Sequence, residues 1–163
     1  MTLRNWVVIG ACVVALLGCS AQPAALPAQR SAAVSPAGLA LVPLEIRSGN
    51  RAHRFTVEVA QTPEQQERGL MYRPKVGPDE GMIFPFSPPR PAAFWMRNTM
   101  VPLDMLFIRA NGTIARIAVN TVPYSEDNVT SGGEPVASVL ELAGGRTVEL
   151  GIREDDRVIW QRP

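Results

Sequence analysis

Between Phe94 and Ile108 the chain runs Phe-Trp-Met-Arg-Asn-Thr-Met-Val-Pro-Leu-Asp-Met-Leu-Phe-Ile, its densest apolar and aromatic stretch. Leu103 to Arg109 reads as a strand with Leu103, Met105 and Phe107 on one face and Leu106 and Ile108 on the other, beside Asp104. A strand apolar on both faces belongs inside a sheet, covered from above and below. Phe94 to Asn98 reads as a second strand, with Thr99 to Pro102 as the bend between them. Three polar residues, Arg97, Asn98 and Asp104, are embedded in this apolar run. Buried polar groups left unpaired cost free energy, so they require partners or a ligand.

The remaining segments are short and punctuated by turns. Ser48-Gly49-Asn50 separates two apolar arms, Leu44–Arg47 and His53–Val59, as in a hairpin. Thr62-Pro63-Glu64 opens a helix expected to run to about Met71, because Thr caps, Pro suits the first helical position and Glu favours the positive end. Gly81 to Phe86 reads as a strand stopped at Pro85, followed by a stiff proline-rich connector, Phe86–Pro91, whose other reading is the rim of a groove. Asn111-Gly112 is the strongest hairpin turn, and Thr113–Asn120 returns from it. A loop follows from Asn120 to Pro135, of a length that in a compact domain is usually functional or mobile. Val136–Leu142 is a strand, Arg146–Leu150 a short helix and Arg157–Trp160 a closing strand.

The first 42 residues have a different character. Arg4 precedes an apolar run from Trp6 to Leu17, too short to cross a bilayer comfortably but suited to a signal peptide. It ends in Leu16-Leu17-Gly18-Cys19, which resembles the bacterial lipobox. The resemblance implies cleavage after residue 18, lipidation of Cys19 and anchoring in a membrane. Ser20, where an Asp would retain the protein in the inner membrane, resembles the outer-membrane sorting pattern. The expected location is the bacterial cell envelope, as an outer-membrane lipoprotein facing the periplasm. The alternative is an ordinary cleaved signal and a secreted or soluble periplasmic protein. Residues 19–42 are rich in Ala, Pro, Ser and Gln and read as a tether with a reach on the order of 70 Å at ~3.1 Å per residue. The globular domain is expected over 43–163.

Composition removes several functions. Arg4 is the only one of the 16 basic residues before Cys19, and no acidic residue precedes it, so the mature chain carries 15 of each sign. That balance, with a single Lys, gives no electrostatic footprint for nucleic acid. Of the two cysteines, Cys12 is lost with the signal and Cys19 takes the lipid, leaving neither disulfide nor free thiol. One histidine, His53, makes no transition-metal constellation, and no cofactor is expected.

Five segments in order carry a family resemblance: Glu67–Arg73, Gly81–Phe84, Phe94–Thr99, Pro102–Ile108 and Val139–Gly145. Over residues 44 to 160 they resemble the domain of unknown function 192 family, for which no activity is established. The resemblance implies a compact, mainly β domain. With the patterns above, the expected class is α+β, mainly β: one small, curled, barrel-like sheet, mixed or antiparallel, with two short helices.

Candidate site residues are Trp95, Arg97, Asn98, Asp104, Arg68 and Glu141. In one reading they form a buried network, with Arg97 or Arg68 bonded to Asp104 or Glu141. In another they form the polar floor of a ligand groove lined by Trp95, Met96 and Met100. Asp104 and Glu141 are also the carboxylates available for hydrolysis, whereas Ser125 and Ser138 lack a nucleophile elbow. Three functions follow: an envelope binding module, a carboxylate-dependent hydrolase, or an assembly partner that docks through a sheet edge.

Overall fold

The computed structural model describes residues 33–163. The expected signal peptide, Cys19 and the greater part of the expected tether lie outside the described residues. Residues 33–42 do not behave as tether: Ser35 is buried, its hydroxyl accepts from the Ala37 and Leu39 amides, and Val34 bridges Ala40. Strand β1 (Leu41–Ser48) continues directly from this turn and pairs antiparallel with β2 (Arg51–Val59) across Gly49 and Asn50.

Helix α1 (Pro63–Arg68) forms where its caps dictate. Gln65 N–H donates to Thr62 Oγ1 and Thr62 N–H donates to Gln65 Oε1, a reciprocal cap. The helix stops at Arg68, short of the expected Met71, because Gly69 takes a positive φ of 48° that ends helical pairing. No α1 residue is buried; Gln66 Nε2 ties the helix down by donating to the Ala60 and Pro85 carbonyls. The chain then enters β3 (Glu80–Arg90), parallel to β2, so the sheet is mixed.

Strand β3 corrects the sequence reading. It does not stop at Pro85; the expected connector 86–91 falls largely within it. Its pairing with β8 (Val136–Ala143) jumps from Pro85↔Ser138 to Arg90↔Val136, so extra residues bulge out where the prolines cannot pair. The expected strand 94–98 is also shorter. Only β4 (Ala93–Phe94) is extended, paired with β7 (Val129–Thr130) inside the long loop, and residues 95–101 turn. A Thr99 N–H to Met96 carbonyl bond of 3.0 Å closes that turn.

Strand β5 (Leu103–Ile108) is buried at every position and lies between β6 (Ile114–Thr121) and β8, as its two apolar faces require. Helix α2 (Arg146–Leu150) and β9 (Arg157–Trp160) complete the chain. The sheet order is β6-β5-β8-β3-β2-β1-β9. It curls until its outer strands touch: Thr113 bridges Arg157, and Val158 N–H donates to the Gly112 carbonyl at 2.8 Å.

Two apolar cores result from strand alternation. One lies within the curl and takes side chains from all seven strands, among them Leu44, Val57, Ile83, Leu106, Ile114, Leu140 and Val158. The other covers the opposite face of β3, β5 and β8, with Met82, Phe84, Met105, Phe107 and Val139 under Leu70, Ala92 and Met96. Gly81 is required where β3 passes β8, since a Cβ there would strike the Glu141 carbonyl oxygen.

Candidate functional site

Asp104 and Glu141 occupy adjacent strands yet serve opposite faces. Met105 is the register partner of Glu141, so Asp104, one residue earlier, points the other way. Asp104 is fully buried and accepts four hydrogen bonds. Its Oδ1 accepts from Asn120 N–H at 2.9 Å and Gly145 N–H at 2.8 Å; its Oδ2 accepts from Thr147 N–H at 2.8 Å and Thr147 Oγ1 at 2.6 Å. Helix α2 begins at Gly145, which has no side chain to cap it, and Asp104 supplies that cap from β5. Its role is to join β5, β6 and α2.

The expected arginine network does not form. No described arginine reaches Asp104 or Glu141. Arg97 lies 3.8 Å from the Glu126 carboxylate and 5.5 Å from the Trp95 ring, at the surface. The half-buried bidentate pair is instead Glu58 with Arg73, at 2.6 and 2.7 Å, which the sequence reading missed. That hydrogen bonding is the main force holding the Arg73 guanidinium above its ordinary range.

Glu141 is a different kind of carboxyl. It lies on β8 between Met82 of β3 and Met105 of β5, its partners in register, and only 4% of it is exposed. Among the described residues no hydrogen bond reaches its carboxyl. Loss of water, uncompensated, disfavours the ionised form and pushes Glu141 up to about 8. The group does have somewhere to point, for it lines a cavity of about 370 Å³. Phe84 and Phe86 of β3 form its apolar base, with Phe94 edge-on to Phe84 at 5.0 Å. Leu70 and Met71, after α1, line it, as do Trp95 and Asn128. Arg68 and Arg90 also line it, Arg90 with its guanidinium 4.2 Å from the Phe86 ring centre.

Three of the six expected site residues thus meet in one cavity: Arg68, Trp95 and Glu141. Arg97 and Asn98 border a neighbouring depression that shares Arg68 and Trp95. Asn98 holds a left-handed backbone, and its carbonyl accepts from Tyr72 N–H at 2.9 Å. Asp104 belongs to neither. The three phenylalanines were missed as site residues, although Phe84 and Phe94 fall in the segments that carried the family resemblance. Arg90 sits in the proline-rich run whose alternative reading was a groove rim. Among the described residues no group of three or more His, Cys, Asp or Glu is placed to hold a metal ion.

The profile of the DUF192 family, described as an uncharacterised ACR, matches residues 44–160. The chain belongs to this family. No curated protein matches the chain. Two solved structures share the DUF192 fold seen here. A protein of unknown function from Novosphingobium aromaticivorans DSM 12444 is 41% identical, with a TM-score of 0.77 over 81% of this chain and 94% of that one. A Sinorhizobium meliloti 1021 protein, provisionally assigned as a transcription regulator, is 46% identical, with a TM-score of 0.72 over 75% of this chain and 95% of that one. The site residues lie within the matched segment, from Arg68 to Glu141.

Proposed function

We propose that this DUF192 chain is a small ligand-binding module held at the bacterial cell envelope by a lipid on Cys19. The observation that carries the binding role is Glu141, a buried carboxyl without a protein partner, lining an aromatic cavity. Folding such a group costs free energy unless something else needs it. The cavity size falls within the range of small-molecule sites, and its lining mixes aromatic and aliphatic side chains with polar and charged ones, Glu67, Arg68, Arg90, Asn128 and Glu141 among them. The paired-carboxylate hydrolase has less support, since Asp104 and Glu141 face opposite sides of the sheet and Asp104 is saturated with hydrogen bonds. Anchoring rests on Leu16-Leu17-Gly18-Cys19 behind an apolar run, and outer-membrane placement on Ser20.

The test is a thermal-shift screen of the full-length chain against envelope peptides, glycans and amino acids, repeated with Trp95→Ala and Arg68→Ala. A ligand of this cavity should bind about tenfold more weakly to at least one variant. Binding equally strong to both variants would reject this cavity as the site.

A further inference from the structure

We propose that the ligand is a small zwitterion with an apolar side chain, of the α-amino acid type, its ammonium group on Glu141 and its carboxylate on Arg68 and Arg90. This rests on the binding role proposed above and names the chemistry of the same cavity.

The lining sorts by charge. The Glu141 carboxyl has no hydrogen-bond partner among the described residues, and it shares the cavity with four aromatic side chains: Phe84, Phe86, Phe94 and Trp95. A carboxyl with little water, in a cavity that aromatic side chains also line, suits an ammonium group, which gains an ion pair from the carboxyl and can gain cation–π attraction from a ring. A neutral ligand would use neither. Yet a bare cation would also meet two guanidinium groups. Among the described residues Arg68 and Arg90 have no carboxylate in ion-pair contact. Both are exposed and both line the same cavity. A bare anion could pair with the arginines but would meet Glu67 and offer the Glu141 carboxyl no cation. A molecule carrying both charges gives Glu141 a cation and the two arginines an anion. The apolar side chain follows from Leu70, Met71 and the three phenylalanines, which give the cavity its apolar part.

Proton linkage adds a signature. Glu141 is protonated in the empty cavity at neutral pH, because burial raises it to about 8. Pairing with an ammonium group ionises it, so binding should expel close to one proton per ligand. Above pH 8 the carboxyl is already ionised and the release should fade.

The experiment is isothermal titration of the full-length chain with four probes: L-phenylalanine, 2-phenylethylamine, 3-phenylpropanoate and N-acetylglucosamine. Titration in buffers of different ionisation enthalpy counts the protons. L-phenylalanine should bind best, and each probe lacking one charge at least about tenfold more weakly. Glu141→Gln should weaken L-phenylalanine and abolish proton release. The paired change Arg68→Gln with Arg90→Gln should weaken L-phenylalanine but not 2-phenylethylamine. If Glu141→Gln fails to fold, the arginine variant and the wild-type proton count decide. N-acetylglucosamine binding best, and losing affinity in Trp95→Ala, would overturn the zwitterion while leaving the binding role intact. Equal binding of L-phenylalanine and 3-phenylpropanoate, or no proton release, would overturn it too. Failure of L-phenylalanine to bind would overturn it as well, and the broader screen would then decide the binding role by itself.

Discussion

Glu141→Gln measures what the fold sacrifices to keep a carboxyl between Met82 and Met105. In the unfolded chain that carboxyl ionises near its ordinary 4.5, and in the folded chain near 8. A raised value in the folded state means stability is fully present below the unfolded value and is lost as pH rises towards the folded one. Each pH unit across the gap from 4.5 to 8 is worth ~1.4 kcal/mol, about 5 kcal/mol in total, and the loss levels off above 8. Glutamine fills nearly the same space and cannot ionise. The stability difference between Glu141→Gln and wild type should therefore start small at pH 4.5 and grow by ~1.4 kcal/mol per unit up to pH 8, in favour of glutamine. Urea unfolding of both proteins, followed by far-ultraviolet circular dichroism across that range, gives this difference. All other titrating groups are common to both and cancel. A difference that stays constant to within ~0.5 kcal/mol across the range would refute a buried, unpaired carboxyl, because the slope is required by linkage.

Two further outcomes test other parts of the molecule. Asp104→Ala strands the Asn120, Gly145 and Thr147 amides and the Thr147 hydroxyl, and should cost about 4 kcal/mol in urea unfolding; a loss under ~1 kcal/mol would refute its role as the cap of α2. Cys19→Ser should move the protein from the membrane to the soluble fraction, and unchanged partitioning would refute lipid anchoring.

The parts of the fold that declared themselves in the sequence are those specified locally. Leu103–Ile108 reads as an interior strand from its two apolar faces alone, and Thr62, Pro63 and Glu64 announce a helix start within three residues. The bent strand β3 was hidden because Pro85, Pro88 and Pro89 are breakers by every local rule. Only the bulge against β8 shows how a strand can hold them. The stretch 95–98 has strand-like composition, but Tyr72 N–H donating to the Asn98 carbonyl and Met96 N–H donating to the Ser125 carbonyl draw it into a turn, and those partners are distant in sequence. The candidate site was half legible for the same reason. Asp104 was identifiable as a polar group needing partners, while the partners themselves lie 16, 41 and 43 residues away. Glu141 was identifiable as a candidate, while its isolation depends on a register that puts one methionine on either side.

The bulge in β3 also limits what can approach the cavity. Beyond Ile83 the strand has no partner on the β2 side, which would ordinarily invite an extended peptide to zip alongside. Here three prolines have deleted amides, Gln66 occupies the Pro85 carbonyl and Arg162 occupies the Phe86 carbonyl at 3.0 Å. A visiting strand would find few free donors or acceptors to grip. This stretch of β3 therefore offers an incoming backbone less to pair with than an ordinary strand edge does.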